Sequence, residues 1–308
     1  MAEITDINEY IRFGWWNTGL SPLAKNRATS AQFKIATNVI LQLLIVENID
    51  CLALGEVTKE DLEHFLINNP LNNMFAIYDG TFKNGRLQFD TGMIYRKDKF
   101  DFCHVKDLVL NYAHNKRLKI ANYLMFSISG NEHVMHLFIS HWPALSFDRE
   151  MPAIRAKLAG QLNHYIENIQ NETDGNAPII LVGDYNIEPF EEPLSDHLLA
   201  TRDRTVVSKS ICHFYNPFWR KLGENNDHSF NSITDRGHAG TYFHRHGGNT
   251  KWRTFDQIMV SKYYLNSSDW LLNESLTRIF YDDYFNNILN MKNNIFDHLP
   301  VILTIQRV

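Results

Sequence analysis

Acidic and imidazole side chains stand at the edges of three apolar runs that lie far apart in this 308-residue sequence. The motifs at these edges are Gly183-Asp184-Tyr185-Asn186, Phe255-Asp256-Gln257 and Phe296-Asp297-His298. A short apolar run is typical of a buried strand, so the pattern predicts one site built from several strand ends. Carboxylates that share a site with a histidine repel one another unless a cation lies among them. The pattern therefore favours a metal-dependent hydrolase.

Three further polar residues follow other predicted strands, namely Asn17, Glu56 and His141. Carboxylate oxygens of glutamate and aspartate are ligands that Mg²⁺ and Mn²⁺ prefer. An asparagine amide can hydrogen-bond a phosphate oxygen, and histidine carries protons near neutral pH. Hydrolysis of a phosphate diester needs an activated water, neutralisation of charge and a protonated leaving oxygen. Together with a cation, these residue types can supply all three.

The elements that hold these residues are predicted from hydrophobic periodicity. Strands are predicted at residues 12–16, 51–54, 91–95, 121–129, 134–139, 179–182, 255–260 and 301–305. Thr29 and Gln32 have the spacing of a capping box, and apolar residues continue at helical spacing as far as Val46. Pro152 is typical of a helix start, and apolar positions then recur on one helical face. Residues 187–240 are predicted to form loops and short helices.

The chain is predicted to form one domain over residues 1–308, because no repeat, low-complexity block or Pro/Gly/Ser-rich linker divides it. Hydrophobic residues make up 44% of the sequence, which is enough for a core of good size. Strands and helices are mixed without strict βαβ alternation. This pattern favours an α/β (α+β) fold in which two mixed β-sheets pack face to face with helices on the outside, a four-layer sandwich.

Net charge and cysteine content indicate which binding partners and which cellular compartment the protein favours. The formal net charge of −5 gives no general basic field for nucleic acid, although a bound divalent ion and local cations can offset it. The three cysteines are widely spaced, which favours a reducing compartment over a disulfide framework. The first residues are polar and acidic, and no apolar run approaches the roughly 20 residues of a membrane helix. We therefore expect a cytoplasmic protein that does not bind membranes.

Six polar motifs follow one another along the chain. They are Trp16-Asn17, Gly55-Glu56, Ser140-His141-Trp142, Gly183-Asp184-Tyr185-Asn186, Phe255-Asp256-Gln257-Ile258 and Asp297-His298-Leu299-Pro300. Their order, from about residue 11 to residue 305, resembles the endonuclease/exonuclease/phosphatase superfamily. That group includes deoxyribonuclease I, abasic-site endonucleases of the exonuclease III type, neutral sphingomyelinases and inositol polyphosphate 5-phosphatases. The resemblance implies the deoxyribonuclease I-like form of the sandwich.

The resemblance also implies a catalytic Mg²⁺, with Mn²⁺ as a substitute, held by Glu56 with Asn17 and Asp297 nearby. Taken singly, each of these residue types could also have a purely structural role. Glu56 could face solvent, and Asn17 could cap or brace the first strand. Asp297 could belong to a polar loop or a helix cap.

In the same resemblance, His298 activates the attacking water while Asp256 orients its imidazole. Asp184 and Asn186 contact the scissile phosphate, and His141 contacts the phosphate or assists the leaving group. The histidine at position 141 disfavours the abasic-site branch. Without the other motifs, Asp184 and Asn186 could be turn formers and His141 a core histidine. A carboxylate such as Asp256 in an apolar strand is harder to explain, because burying it without a partner is costly.

Contacts with the substrate are predicted at Asn17, Asn186, Arg96, Arg155 and Trp252. Arg96 could instead form a surface ion pair, and Arg155 could lie on a solvated helix face. Trp252 belongs to a segment over residues 240–253 that interleaves aromatic residues with cations. Such a mix can stack on bases and neutralise phosphates, or it can pack as an aromatic cover over the sheet edge.

We therefore predict a Mg²⁺-dependent phosphodiesterase that cleaves DNA as an endonuclease or nicking enzyme, with DNA as its partner. The first alternative is a phosphatase or phosphodiesterase of inositol phosphates, lipids or other small phosphoesters. A lipid enzyme would usually need an exposed apolar or basic membrane surface, and none is obvious in the sequence. The second alternative, a catalytically silent binding module, is disfavoured because every expected catalytic residue type is present. The sequence leaves open DNA versus RNA, endonuclease versus exonuclease mode, sequence preference and oligomeric state.

Overall fold

The computed structural model describes residues 9–23, 25–67, 70–85, 87–112, 116–129, 133–144, 150–222, 238–245, 250–291 and 294–308. In chain order the strands are β1 (Tyr10–Asn17), β2 (Cys51–Gly55), β3 (Phe75–Asp79), β4 (Phe82–Asn84), β5 (Leu87–Phe89), β6 (Thr91–Arg96), β7 (Phe100–Tyr112), β8 (Lys116–Ile128), β9 (Val134–His141), β10 (Ile179–Asp184), β11 (Ala200–Thr201), β12 (Phe214–Tyr215), β13 (Tyr242–Phe243), β14 (Trp252–Arg253), β15 (Asp256–Val260), β16 (Trp270–Ile279) and β17 (Val301–Arg307). The helices are α1 (Ser30–Leu41), α2 (Lys59–Ile67), α3 (Met151–Glu172), α4 (Arg204–Lys209), α5 (Tyr263–Asn266) and α6 (Asp283–Asn290). Short π-helical segments lie at Gln42–Val46 and Pro193–His197, and 3₁₀ turns lie at Pro70–Asn73 and Pro217–Lys221.

Two large mixed sheets form the centre of the fold. The first sheet has the strand order β16-β17-β1-β2-β6-β3, and the second has the order β11-β12-β15-β10-β9-β8-β7. Each sheet contains a central parallel pair, β1 with β2 and β10 with β9. Antiparallel strands flank each pair, β17 and β6 in the first sheet and β15 and β8 in the second. The two sheets therefore repeat one local arrangement of strands.

A hydrophobic core fills the space between the sheets. Phe13 of β1 lies against Phe100 of β7 and Phe126 of β8, with ring centroids 6.1 and 6.4 Å apart. A second buried cluster lies on the other face of the second sheet and includes Leu158 and Leu162 of α3. Two mixed sheets thus pack face to face with helices outside, which confirms the predicted fold class.

Two helices begin where the sequence predicts. The Thr29 hydroxyl accepts a hydrogen bond from the backbone of Gln32, and the Gln32 side chain accepts one from the Thr29 backbone, so the capping box opens α1. Pro152 lies in the first turn of α3, whose predicted apolar face is buried from Ile154 to Ile166. Across the ranges described above, we find no helix with the length and apolar character needed to span a bilayer.

In the two large sheets, the strands that sequence analysis missed are the four edge strands and the two-residue interior strand β12. Every predicted strand is an interior strand of one of the two sheets. The edge strands β3, β16, β7 and β11 were not predicted. An edge strand has one unpaired side and tolerates more polar residues, so its hydrophobic pattern is weaker. The short elements predicted for residues 187–240 are confirmed over 187–222, while 223–237 lie outside the described residues.

Candidate active site

The central parallel pairs place four of the predicted residues at one rim of the sandwich. Asn17 ends β1, and Glu56 directly follows β2. His141 ends β9, Asp184 ends β10, and the two are register partners. Parallel neighbours direct their carboxyl ends to the same edge of a sheet. The Asn17 amide donates to Oδ2 of Asp184 at 3.2 Å, which joins the two sheets at this rim.

The flanking antiparallel strands add residues where they begin. Asp256 begins β15 and is the register partner of Asp184. Asp297 and His298 lie just before β17, which runs antiparallel to β1. An antiparallel strand starts at the edge where its parallel neighbour ends, so these residues reach the same rim.

Glycine is required beside two of these residues. A Cβ at Gly183 would lie 1.9 Å from the carbonyl oxygen of Ser140, which is closer than two unbonded atoms can approach. A Cβ at Gly55 would lie 2.7 Å from the ring of Trp15. The glycines of the Gly-Asp and Gly-Glu motifs therefore serve close packing, which lets the neighbouring carboxylates reach the rim.

His298 and Asp256 form a buried pair. Nδ1 of His298 lies 2.8 Å from Oδ2 of Asp256. The other carboxylate oxygen accepts a hydrogen bond from the indole of Trp15 at 2.7 Å. The backbone carbonyl of His298 accepts from the indole of Trp16 at 3.1 Å, which anchors the main chain at this residue. This arrangement leaves Nε2 of His298 as its reactive nitrogen.

Carboxylates surround the reactive nitrogen of His298. It lies 3.8 Å from Oδ2 of Asp184 and 3.8 Å from Oδ1 of Asp297. Burial alone lowers the pKa of His298, but the charges of Asp256 and Asp184 outweigh burial and raise that pKa to about 10. The ionised carboxylates therefore favour the protonated form of the ring.

Asp184 and Glu56 are linked by amide groups. Oδ1 of Asp184 accepts from the backbone N–H of Asn186 at 2.8 Å, and the Asn17 amide also lies 3.4 Å from Oε1 of Glu56. Burial is the main cause of a raised pKa at both Asp184 and Glu56, and the nearby histidines oppose it. Glu56 has a φ of +55°, a left-handed conformation that is uncommon outside glycine and typical of functional sites.

A second histidine–aspartate pair lies at the same rim. Nδ1 of His141 lies 3.2 and 3.1 Å from the two carboxylate oxygens of Asp90. The ammonium of Lys119 also donates to Asp90 and lies 3.4 Å from Nδ1 of His141. Burial tends to raise the pKa of Asp90, but His141 and Lys119 outweigh it and hold that pKa well below its usual range. Burial also lowers the pKa of His141, yet Asp90 shifts it upward overall.

The lining of this rim includes hard oxygen donors of the kind that a divalent cation prefers. Ligand atoms of Asp184, Asp256 and His298 lie within 4.8 Å of one another. Asp256 is a poor ligand because both of its oxygens already accept hydrogen bonds. The anionic oxygens that remain belong to Asp184, Glu56 and Asp297, and such hard donors suit a divalent cation.

A cleft of about 400 Å³ opens at this rim. Its lining includes seven of the predicted site residues: Asn17, Glu56, His141, Asp184, Asn186, Asp297 and His298. Tyr242 forms part of the wall, with its ring centroid 4.7 Å from that of His298 and 5.2 Å from that of Phe255. Asp256 lies buried directly behind His298. The structure therefore brings the predicted metal and catalytic residues together.

Arg96 does not belong to this group, which corrects the prediction of a substrate contact there. It is the last residue of β6, whose first residue, Thr91, pairs with Gly55 at the rim. The strand therefore carries Arg96 to the opposite end of the sheet. There it forms an ion pair with Asp98 at 2.7 Å, as the surface alternative predicted.

The structure also corrects the prediction for Arg155, whereas a substrate contact at Trp252 stays a prediction. Arg155 is only 3% exposed and donates to the carbonyl oxygen of Pro143 at 2.8 Å, so it supports the loop after His141 from within the protein. Trp252 packs against Phe243 with ring centroids 4.9 Å apart and is not among the described residues that line the cleft. The aromatic-cover interpretation of Trp252 matches this packing.

Sequence analysis missed two residues of the site, Asp90 and Lys119, whereas Thr241 and Tyr242 belong to the segment over residues 240–253 that it singled out. Thr241 positions Asp256, because its hydroxyl accepts from the backbone N–H of Asp256 at 2.9 Å. Asp90 directly precedes a strand that the sequence predicts at residues 91–95. The rule that places Asp256 at the start of an antiparallel strand would have placed Asp90 as well.

Comparison with known proteins identifies relatives at the level of family and fold. The sequence profile of the Endonuclease/Exonuclease/phosphatase family matches residues 27–293. No curated protein matches the sequence. The catalytic domain of human Nocturnin with a bound sulfate anion is 14% identical, with a TM-score of 0.61 over 98% of this chain and 98% of that chain.

Two other solved structures have the same fold. D. rerio TDP2 complexed with a single-strand DNA product is 14% identical, with a TM-score of 0.58 over 96% of this chain and 98% of that chain. The mannosyl-6-phosphatase of Bacteroides thetaiotaomicron is 15% identical, with a TM-score of 0.59 over 97% of this chain and 99% of that chain. At these identities the likeness concerns the fold alone.

Proposed function

This chain belongs to the endonuclease/exonuclease/phosphatase family and is a metal-dependent phosphoesterase, and on that premise we propose that it is a Mg²⁺-dependent phosphodiesterase that cleaves DNA. The observation that carries the proposal is the buried pair of His298 with Asp256, which directs Nε2 of His298 toward the carboxylates of the cleft. A single domain over residues 1–308 and a cytoplasmic location stay predictions.

We assign His298 the activation of the attacking water. The hydrogen bond to Asp256 occupies Nδ1 and fixes the ring, so only Nε2 can take a proton from a bound water. Asp184 and Asp297 contribute to the high proton affinity of the ring. A cation bound beside these two carboxylates would offset their charge, and the pKa of His298 would then fall toward the range of a general base.

The other polar groups of the cleft are assigned to the phosphate. Nε2 of His141 lies 3.9 Å from Oδ2 of Asp184, a position suited to contacting the phosphate or protonating the leaving oxygen. Asn186 donates one amide N–H to the carbonyl oxygen of Trp142 at 2.9 Å, which fixes its side chain. Asn186 and Asn17 both line the cleft, and we assign them contacts with phosphate oxygens.

Glu56 and Asp297, with Asn17 nearby, are assigned to the metal. Their hard oxygens suit Mg²⁺, and Mn²⁺ has the same ligand preference. When bound, the cation would neutralise charge on the phosphate and so favour attack by water.

DNA is the proposed substrate, and two features support it. His141 follows the pattern of the deoxyribonuclease I branch, and the segment from Tyr242 to Arg245 brings aromatic and basic residues to the cleft. D. rerio TDP2, which has this fold, is described with a single-strand DNA product. A small phosphoester is the second candidate, because a cleft of about 400 Å³ suits a small ligand and the net charge is −5.

The test compares substrates under controlled metal conditions. Nicking of supercoiled plasmid and release of acid-soluble nucleotides would be measured beside release of inorganic phosphate from sugar and inositol phosphates. We expect nicking with Mg²⁺ or Mn²⁺, and none with a chelator or with His298→Ala. Phosphate release from small esters without nicking would replace DNA with the second candidate. Nicking that survives the chelator would reject the assigned metal role.

A further inference from the structure

We propose that the cleft has a second phosphate subsite formed by Lys25 and Arg245, so that it selects esters carrying a second phosphate beside the scissile one. The inference rests on the proposed function and specifies its substrate class. The second phosphate is either the neighbouring linkage of a nucleic-acid strand or another phosphate on a small ester.

The charges of the cleft are divided between carboxylates and two separate cations. Glu56, Asp184 and Asp297 are the anionic residues of its lining, while Lys25 and Arg245 are the lysine and arginine. Both cations are exposed, and neither forms an ion pair with a carboxylate in the described parts of the chain. They are therefore available to an anionic ligand that enters the cleft.

Lys25 lies on a segment that is anchored beneath it. The carboxylate of Asp61 is 1% exposed and accepts hydrogen bonds from the hydroxyl of Ser21 at 2.9 Å and from the guanidinium of Arg27. Ser21 and Arg27 bracket Lys25 in the sequence. The backbone of Ala28 also donates to the carbonyl oxygen of the residue before Ser21 at 2.8 Å, which closes the loop. Described residues on both sides of Lys25 in the sequence are therefore anchored to the rest of the fold.

Arg245 is held from a different part of the fold. Its guanidinium donates to the carbonyl oxygen of Leu289 in α6 at 3.0 Å. This bond uses one of the five N–H donors of the guanidinium, and the others can bind an anionic group. The backbone of the preceding residue, His244, donates to the carbonyl oxygen of Lys251 at 2.7 Å. Two cations on independently anchored segments thus line one cleft.

This arrangement exceeds what the scissile phosphate requires. The residues assigned to the metal would account for one phosphate together with His298 and His141. Lys25 and Arg245 are further cations of the same lining, and they favour an additional anionic group there. A substrate with a single phosphate would leave them unused.

The test uses matched substrates that differ only in the flanking charge. One thymidine tetranucleotide has three natural linkages, and its match has uncharged methylphosphonates at the two outer ones. Cleavage of the central linkage is scored by product length. An inositol bisphosphate and an inositol monophosphate form a second, small-molecule pair. The pair with the larger ratio of kcat/KM identifies whether the second phosphate belongs to a nucleic-acid strand or to a small ester. We expect the member of each pair that carries the additional phosphate charge to have a kcat/KM about tenfold higher, chiefly through KM.

Variants connect this preference to the two cations. Lys25→Met and Arg245→Gln should each reduce the preference severalfold, and the double variant should remove it. Lys34→Met is the matched control, because Lys34 is an exposed lysine of α1 that lies outside the cleft, and the preference should persist. Asp61→Asn should weaken the preference by releasing the loop. Combining it with Lys25→Met should add little further loss, which a general folding defect would not reproduce.

The outcomes separate this inference from the proposed function. Equal kcat/KM within both substrate pairs, or a preference that survives the double variant, overturns the second subsite while hydrolysis stands. Absence of all hydrolysis rejects the proposed function. In that case the affinities for the two fluorescently labelled tetranucleotides, measured in the presence of a chelator, test whether the second subsite exists. Tighter binding of the fully charged strand, lost in the double variant, supports it, and equal affinities reject it.

Discussion

Two histidine–aspartate pairs stand at the same rim, and each joins the two sheets. His298 precedes β17 of the first sheet and bonds Asp256 at the start of β15 in the second. His141 ends β9 of the second sheet and bonds Asp90, which directly precedes β6 of the first. The two pairs differ in the other hydrogen-bond donors that their aspartates receive, and we infer different catalytic roles from this difference.

Asp256 and Asp90 receive different hydrogen-bond donors. Beyond its histidine, Asp256 accepts from the neutral indole of Trp15, whereas Asp90 accepts from the ammonium of Lys119. A buried carboxylate without another cation needs its histidine as the counter-charge, and His298 accordingly has a pKa raised to about 10 against the effect of burial. At His141, the charge of Lys119 opposes the upward shift that Asp90 causes. Lys119 therefore weakens the hold of the second pair on its proton, while Asp184 and Asp297 strengthen that of the first.

Removing His298 should have the largest effect on turnover. His298→Ala eliminates the assigned general base, and we expect kcat to fall toward the upper end of the roughly 10²–10⁴-fold range for such a loss. Steady-state rates on bis(p-nitrophenyl) phosphate would measure it. His164→Ala is the matched control, because His164 is exposed on α3. Unchanged turnover in a folded His298→Ala protein would remove the assigned mechanism and with it the contrast between the pairs.

Asp256→Asn tests how the first pair depends on its carboxylate. An asparagine amide at this position can donate to Nδ1 of His298, which would place the ring proton on Nε2 and block that nitrogen as a base. We expect kcat to fall roughly 10²-fold or more. Asp101→Asn, at an exposed position of β7, controls for the loss of one negative charge. A decrease no larger than that of Asp90→Asn would show that the two pairs are equivalent.

The sequence predicts the interior of this fold better than its edges. Strands such as β10 are paired and covered on both sides, so their apolar runs are continuous and easily recognised. Edge strands such as β7 and β16 carry charged and polar residues, because one side meets solvent. The site residues at the ends of interior strands were therefore predictable before the complete sheets were.

The remaining errors concern direction along a strand and burial. Arg96 was predicted from its place at the end of β6, yet an antiparallel strand ends at the edge opposite the site. Arg155 lies in a helix whose buried face includes it, and helical spacing alone gives no sign that an arginine is enclosed. Asp90 and Lys119 meet only through folding, 29 residues apart in sequence, and no local pattern joins them.

Asp90→Asn should have a smaller effect than either change in the first pair. The asparagine keeps the size of the side chain but removes the charge that orients His141 and pairs with Lys119. We expect kcat to fall about tenfold, as for loss of one charge-assisted hydrogen bond. Rates for esters with good and poor leaving groups would be compared, because a role in protonating the leaving oxygen predicts a larger loss with the poor one. An equal loss for both esters would assign His141 to phosphate binding instead.

Lys119→Met should have the smallest effect on rate, and it makes the second pair resemble the first. Asp90 would then have His141 as its cationic partner, as Asp256 has His298. The hydrogen bond between Asp90 and His141 stays in place, so we expect kcat to change only about threefold. The free energy of unfolding should fall by about 1–3 kcal/mol, because the buried carboxylate loses a charged donor. Denaturant unfolding would measure this loss, and Lys119→Arg should recover part of it. A loss of turnover as large as that of His298→Ala would instead place Lys119 in the chemistry, and the ammonium would no longer be a tuning neighbour of the pair.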